Sequence, residues 1–313
     1  MKPWTHYHTP HTVDEALDLL AQYGGRARVV AGGTDLILEL QQGHRPPVAA
    51  LIDVTRIGAL QALQADGDTL TLGAGVTHTE IVRSDVLAAR ATCLVESCGV
   101  IGGPQVRNVA TLGGNVAHAL PAGDGTTSLV ALDAEAEIAW GERRRREWAP
   151  IGSLFKGPGR SLIDPTRDLL VGFRFALAGP REGSAFKRIM RPQGVALPVL
   201  GCAVWLRLDA GARVHAARVC IGPVAPTPVR ADVVEAALLG RPVDEATIAK
   251  AVAAAQGVAA PAHEQVPRHG GLSRRDGGSA AAPGAPAGGA AGHDGRGGAG
   301  GGGAGVTRRH ESR

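Results

Sequence analysis

Two glycine-rich turns hold the residues of this sequence best suited to chemistry. The first is Ala31-Gly32-Gly33-Thr34-Asp35-Leu36, set between a β-branched stretch and a helical one. The second is Thr111-Leu112-Gly113-Gly114-Asn115, about 80 residues further on. Paired glycines let a backbone approach a ligand closely and aim successive N–H groups at it. A helix starting behind such a turn adds a dipole that favours an anion. Two such turns converging on one pyrophosphate would make a dinucleotide site, although a single GG pair marks many ordinary loops. A Rossmann unit is the obvious alternative, and Gly73-Ala74-Gly75-Val76-Thr77-His78 fails it, because His78 stands where the third glycine belongs. No acidic residue closes that unit at the required spacing: Asp85 comes too early and Glu96 falls in a helical stretch.

Other reactive side chains have plainer readings. His6, His8 and His11 lie in a polar stretch without a supporting acid or cysteine, so they read as solvated residues and not as metal ligands. Cys93, Cys98, Cys202 and Cys220 form no CxxC pair and no disulfide-like framework, which points to reduced thiols and no metal site. Cys93 and Cys98 fall in a helical stretch and read as core. Asp35 reads either as a ligand contact or as a first-turn acid favoured by the helix dipole. His118, just beyond Asn115, is a candidate for lining a cleft. Lys187 shares a basic stretch with Arg188 and Arg191, where an exposed lysine is the plain alternative.

The elements that must position these turns follow from periodicity and caps. Thr12 and Glu15 fit a capping box ahead of Ala16, Leu17, Leu19 and Leu20 on a helical period. Arg28-Val29-Val30 predicts a strand into the first turn, residues 36–42 a helix, and Leu51-Ile52-Asp53-Val54 another strand. Residues 69–73 alternate like a strand, helices are expected at 79–88 and 90–99, and 126–139 is an apolar stretch rich in Ala and Leu. The arginines at 143–146, between Glu142 and Glu147, read as a solvated hairpin turn. Leu169, Leu170, Val171, Phe173 and Phe175 predict a strand. Strands at 199–208 and 213–221 and helices at 231–239 and 244–255 complete the pattern.

Composition limits the classes. At 313 residues, 44% hydrophobic, the chain can build two domains. It holds no apolar run near the ~20 residues that span a bilayer. Its start, MKPWTHYHTPHT, shows neither a secretory nor a twin-Arg signal, so a cytoplasmic location is expected. A pI of 9.1 invites a nucleic-acid reading. Residues 261–313, however, hold seven Arg against four Asp and Glu, which is +3 of the formal +4, and only 3% of the chain is aromatic. No nucleic-acid partner is expected.

The pair AGGTDL and TLGGN, with GAGVTHTEI between them and PAGD just after, resembles the FAD-binding subunit of the xanthine dehydrogenase and aerobic carbon monoxide dehydrogenase family, the molybdenum hydroxylases. HYHTPHTVDEALDLL, Ile52-Asp53-Val54, Val106-Arg107-Asn108, Ala131-Leu132-Asp133-Ala134 and Ser184-Ala185-Phe186-Lys187-Arg188 extend the resemblance over roughly residues 3–260. It implies an α/β plus α+β protein: a vanillyl-alcohol-oxidase (PCMH-type) FAD-binding fold of two α/β subdomains at 1–56 and 57–178, followed by a smaller α+β domain at 183–260. It implies that Ala31, Gly32, Gly33, Thr34, Asp35 and Leu36 bind the FAD pyrophosphate, with Thr111, Gly113, Gly114 and Asn115 at the same end. Thr77 matches a position near the flavin and Asp124 an acidic residue on the cofactor. Leu169 and Leu170 lie on a strand beside the isoalloxazine. Lys187 matches a lysine at its pyrimidine edge, where an ammonium would stabilise the negative charge of the reduced ring near N1 and O2. No residue of the chain is expected to be catalytic towards the organic substrate. Electrons would come from a [2Fe–2S] small subunit beside a molybdenum-cofactor large subunit, in a heterotrimer or its dimer, and leave to NAD⁺, a quinone or oxygen.

Relatives that reduce aromatic thioesters carry an inserted cysteine loop for a further cluster; here TLGGN runs directly to the LDA segment. Two other functions remain as alternatives: a stand-alone flavin oxidoreductase of the same fold, and a non-catalytic assembly subunit. After residue 260 the periodicity stops. Residues 261–313 contain sixteen Gly and ten Ala, a composition expected to be disordered. The tail reads as GC-rich DNA translated in a shifted frame, or as a natural flexible tail. The former leaves the C-terminal domain incomplete, which sequencing of gene and transcript checks.

Overall fold

The computed structural model describes residues 3–190 and 197–265. The chain opens with strand β1 (Trp4–His8), helix α1 (Val13–Tyr23), β2 (Ala27–Val30), α2 (Leu36–Gln41) and β3 (Val48–Asp53). The three strands form a parallel sheet in the order β1-β3-β2. Thr12 caps α1 by accepting from Glu15 N, while Glu15 Oε2 accepts from His11 N, one residue earlier than a strict capping box. Gly24 ends the helix in the left-handed region at φ 53°. Val13, Ala16, Leu17 and Leu20 pack with Ala50 and Ile52 of β3. Periodicity does not reveal β1, because its polar residues sit on an edge strand. Parallel pairing to β3 orders it, with Tyr7 Oη donating to Asp53 at 2.7 Å and His8 Nε2 at 2.8 Å from Tyr23 Oη.

Next come β4 (Leu63–Asp66), β5 (Thr69–Gly73) and six short helices: α3 (His78–Val82), α4 (Asp85–Arg90), α5 (Thr92–Gly99), α6 (Pro104–Arg107), α7 (Leu112–Ala117) and α8 (Asp124–Ala131). β6 (Glu135–Trp140), β7 (Arg145–Pro150), the small pair β8 (Phe155–Gly157) and β9 (Arg160–Ser161), and β10 (Leu169–Ala176) follow. The 126–139 stretch therefore divides into a helix and a strand. The arginines at 143–146 turn and enter β7 as an exposed hairpin, and Arg144 meets Asp18 at 2.5 Å. An antiparallel sheet has the order β4-β5-β10-β6-β7. A register shift between Leu170 and Gly172 reverses the facing of β10. Leu169 and Val171 thereby join the first sheet's core, while Leu170, Phe173 and Phe175 join the second. One strand thus stitches two cores.

The last sheet is antiparallel, β11 (Glu182–Met190), β12 (Pro198–Leu208), β13 (Val214–Gly222) and β14 (Val229–Arg230) in sequential order. Phe186, Ala203, Trp205 and Cys220 face the core beneath α5 and α8. Val219 and Ile221 on the other face pack with Val234 and Leu238 of α9 (Asp232–Leu238) and Ala251 of α10 (Glu245–Gln265). α10 runs through residues 261–265, the first part of the expected tail; residues 266–313 lie outside the described residues. Among the described residues no helix is long and apolar enough to cross a membrane. The architecture is of the expected class, α/β followed by a smaller α+β part.

Candidate functional site

Three glycine turns interlock at one place. A Cβ on Gly32 would lie 2.1 Å from the Val109 carbonyl oxygen, and one on Gly113 would lie 2.4 Å from the Ala74 carbonyl oxygen. Main chain meets main chain at both points, so no side chain fits. The turn after β2 thus abuts the approach to α7, and the start of α7 abuts the turn after β5. Residues 76–78 and 110–112 pair as a short antiparallel ladder, with His78 N donating to Ala110 O and Leu112 N to Val76 O. Thr77 and Thr111 face each other across it, and each caps the helix that follows. Sequence reading assigned the glycines to ligand approach; at Gly32 and Gly113 the first requirement is approach between the turns themselves.

The two turns treat their N–H groups differently. In the second, Gly113 N donates to Ala74 O, Gly114 N to Thr111 Oγ1 at 3.0 Å and Asn115 N to Thr111 O. In the first, Gly33 takes φ +68°, and among the described residues the N–H groups of Gly32, Gly33, Thr34 and Asp35 reach no protein acceptor. Successive unpaired N–H groups ahead of a helix form a concave anion site. The two turns are therefore not equivalent cradles: the first offers donors, while the second is spent on holding the turns together.

Both turns line a cavity of about 420 Å³, a size usual for ligand sites. Leu169 and Leu170 of β10 and Ile163 give it apolar wall. Its charged members are mostly paired. Asp124 Oδ2 accepts from Arg188 at 2.5 Å, and the two side chains are only 4% and 9% exposed. Burial pushes the Asp124 carboxyl up to about 6, against the opposing pull of the Arg188 charge and hydrogen bond. Buried Asp168 accepts from Gly141 N and Asp164 N, which fixes the loop before β10. Glu39 pairs with Arg45; burial raises its carboxyl, but the Arg45 hydrogen bond and charge, together with the charges of His118 and Arg28, leave it below its ordinary value.

Of the residues singled out from the sequence, Ala31, Gly32, Gly33, Thr34, Asp35, Leu36, Thr111, Gly113, Gly114, Asn115, Asp124, Leu169 and Leu170 line this one cavity, as does His118. Asn115 Oδ1 is already engaged by Thr126 of α8. Thr77 and Lys187 are not among the lining residues. Thr77 is consumed by its capping box with Glu80. Lys187 points outward from β11 and binds Glu96 at 2.9 Å, with its side chain 84% exposed. Arg188, one residue on, reaches the cavity instead, because Phe186 is buried and strand alternation turns every second side chain inward. Phe186, the aromatic residue of this stretch, is the sequence signal for that facing. Arg28, Glu39, Arg45 and His78 also line the cavity without having been proposed as ligand contacts.

Comparison with known proteins shows the family. Residues 3–175 match the family described as FAD binding domain in molybdopterin dehydrogenase, and residues 184–269 match the CO dehydrogenase flavoprotein C-terminal domain. The carbon monoxide dehydrogenase medium chain of Hydrogenophaga pseudoflava is 30% identical over 262 residues, 84% of this chain and 89% of that one. The xanthine dehydrogenase FAD-binding subunit of Escherichia coli O157:H7 is 31% identical over 246 residues, covering 77% and 82% respectively. A solved carbon monoxide dehydrogenase from Hydrogenophaga pseudoflava that lacks the Mo-pyranopterin moiety superposes with a TM-score of 0.76 at 31% identity, over 82% of this chain and 88% of that one. The chain belongs to the FAD-binding flavoprotein subunits of the molybdenum hydroxylases, an oxidoreductase family that uses FAD.

Proposed function

We propose that this subunit takes electrons from a [2Fe–2S] small subunit to FAD and passes them on to NAD⁺, a quinone or oxygen, beside a molybdenum-cofactor large subunit in a heterotrimer or its dimer, in the cytoplasm. The observation that carries the reading is the run of N–H groups at Gly32, Gly33, Thr34 and Asp35 that reach no acceptor among the described residues, opening into a cavity that also holds a buried carboxylate–guanidinium pair. Those donors fit a pyrophosphate, and the leucine wall fits an aromatic ring system. Bound FAD supplies both one-electron and two-electron chemistry, which suits a link between an iron–sulfur carrier and a two-electron acceptor.

The chain's own part is placement and electrostatics. On this reading the N–H groups of the first turn and the start of α2 hold the phosphates. Thr111, Gly113, Gly114 and Asn115 fix the turn that supports them, while Leu169 and Leu170 exclude water from the ring. Asp124 is a polar contact, and Arg188 supplies the positive charge that the resemblance assigned to Lys187. The proposed division is two FAD subdomains at 1–56 and 57–178 and a C-terminal domain at 183–260, in line with the three separate main sheets.

Purifying the full chain, adding FAD and recording the visible spectrum tests the cofactor site. Stopped-flow reduction by a reduced [2Fe–2S] partner, followed by reoxidation with NAD⁺, a quinone or oxygen in turn, tests the electron path. Flavin that binds but is never reduced by the iron–sulfur partner would refute the electron-transfer role.

A further inference from the structure

One residue of the cavity wall, His78, is paired with a buried thiol behind it, and neither has an assigned role. His78 is 1% exposed and Cys98, on α5, is 0% exposed. His78 Nδ1 lies 3.4 Å from Cys98 Sγ, within the reach of a thiol hydrogen bond. The His78 main chain is fixed by its N–H bond to Ala110 O in the ladder between the glycine turns. His78 is one of the residues that line the cavity, and among the described residues its Nε2 has no hydrogen-bond partner.

The protonation states of the pair follow from its surroundings. Burial, with the nearby Arg107 charge, pulls the His78 imidazole down to about 4, so the ring is neutral at physiological pH. Burial pushes the Cys98 thiol well above its usual range, so the sulfur keeps its proton. Two neutral groups then share one hydrogen bond, and its direction decides which proton faces the cavity. A helical Cys thiol would ordinarily donate to the carbonyl four residues back. Here that carbonyl, Leu94 O, already accepts from Ser97 Oγ at 3.0 Å. The imidazole nitrogen is a far better acceptor than sulfur. The thiol therefore donates to Nδ1, and the ring's single N–H stands on Nε2.

We infer that His78 is a further FAD-binding residue, a neutral imidazole held as the Nε2–H tautomer by the Cys98 thiol and donating into the cavity to an acceptor atom of the cofactor. Cys98 is its positioning residue. The inference rests on the FAD site proposed above, and it assigns work to two residues that read as a failed Rossmann position and as plain core.

The first test needs no variant: the full chain, ¹⁵N-labelled at histidine, is examined by NMR with and without FAD. His78 is identified among the eleven histidines by the signal missing from His78→Gln. The expected result is a pH-independent ring with Nδ1 unprotonated and Nε2 protonated, and an Nε2 signal that moves on FAD binding. A protonated Nδ1, or an Nε2 unmoved by bound FAD, overturns the inference. The second test measures FAD affinity of the reconstituted full chain by fluorescence quenching. His78→Phe is expected to weaken binding by roughly tenfold or more, the usual effect of removing a buried donor from a polar acceptor. Cys98→Ala is expected to weaken binding less, with a mixed-tautomer spectrum. Cys98→Ser, which keeps a donor to Nδ1, is expected to restore both affinity and tautomer. Equal affinity for wild type and His78→Phe, or a Cys98→Ala spectrum like wild type, overturns it. A wild type that binds no FAD refutes instead the underlying site.

Discussion

Replacing Asp124 with asparagine in the flavin-free protein is predicted to stabilise it at neutral pH, although the substitution removes half of a buried ion pair. Stripping one partner from such a pair usually costs about 3–5 kcal/mol, because the other charge stays buried alone. At this site the carboxyl titrates at about 6, above its ordinary 3.8, even with Arg188 in contact. Burial of the carboxylate therefore outweighs the attraction of its partner. Between pH 3.8 and about 6 the folded protein holds a proton that the unfolded chain has released, so stability falls as pH rises through that window. The total fall is on the order of 3 kcal/mol. Asparagine mimics the protonated acid, so Asp124→Asn should match the wild type near pH 4 and exceed it by about 3 kcal/mol at pH 7. That corresponds to a Tm gain of roughly 6–12 °C for a domain of this size. Urea titrations of both proteins from pH 4.5 to 7.5 provide the assay. A loss of stability for Asp124→Asn at pH 7, or an undiminished pH slope, refutes the reasoning. The expected gain has a functional meaning: a carboxylate kept at a cost to the fold is a mark of a ligand site.

Three further outcomes follow from the same geometry. Gly113→Ala forces a Cβ to within 2.4 Å of a main-chain oxygen, so it should lower stability by about 2–4 kcal/mol in denaturant titrations and weaken FAD retention. Gly114→Ala meets only the Thr111 hydroxyl at 3.2 Å and should cost about 1 kcal/mol or less, with FAD still bound. Lys187→Met breaks only an exposed pair with Glu96 and should leave FAD affinity and flavin potential unchanged, whereas Arg188→Met should weaken FAD binding and lower the potential in spectroelectrochemical titration.

Those contrasts also show what a sequence can reveal. The two glycine turns were legible because only glycine tolerates main chain at 2.1–2.4 Å from its Cβ position, although the chain that comes so close, at Val109 and Ala74, is far away in sequence. β10 was legible because its residues are buried on both faces. The bulge that sends Val171 and Phe173 to different cores was not, since alternation alone carries no trace of a register shift. The use of each N–H group was hidden for a related reason. Whether Gly113 N is free depends on Ala74, 39 positions away in the chain, and on the ladder that brings the two together. Lys187 was preferred over Arg188 by resemblance, while the facing of β11 is set by Phe186 packing under α5 and α8.

The interlocking of the turns ties cofactor retention to folding. Gly32 rests on the approach to α7, Gly113 rests on the turn after β5, and β10 passes its side chains to both cores that meet there. A change at any one contact shifts the run of N–H donors at Gly32, Gly33, Thr34 and Asp35 relative to the leucine wall. Conversely, a ligand that bridges donors and wall binds the folded chain alone and stabilises it in proportion to its affinity. Substitutions that act through the packing of the turns, such as Gly113→Ala, should therefore be partly rescued by excess FAD, whereas a loss at Arg188 should appear in affinity before it appears in the melting temperature. Comparing the FAD-dependent Tm shift of the two variants separates a residue that shapes the cavity from one that meets the cofactor.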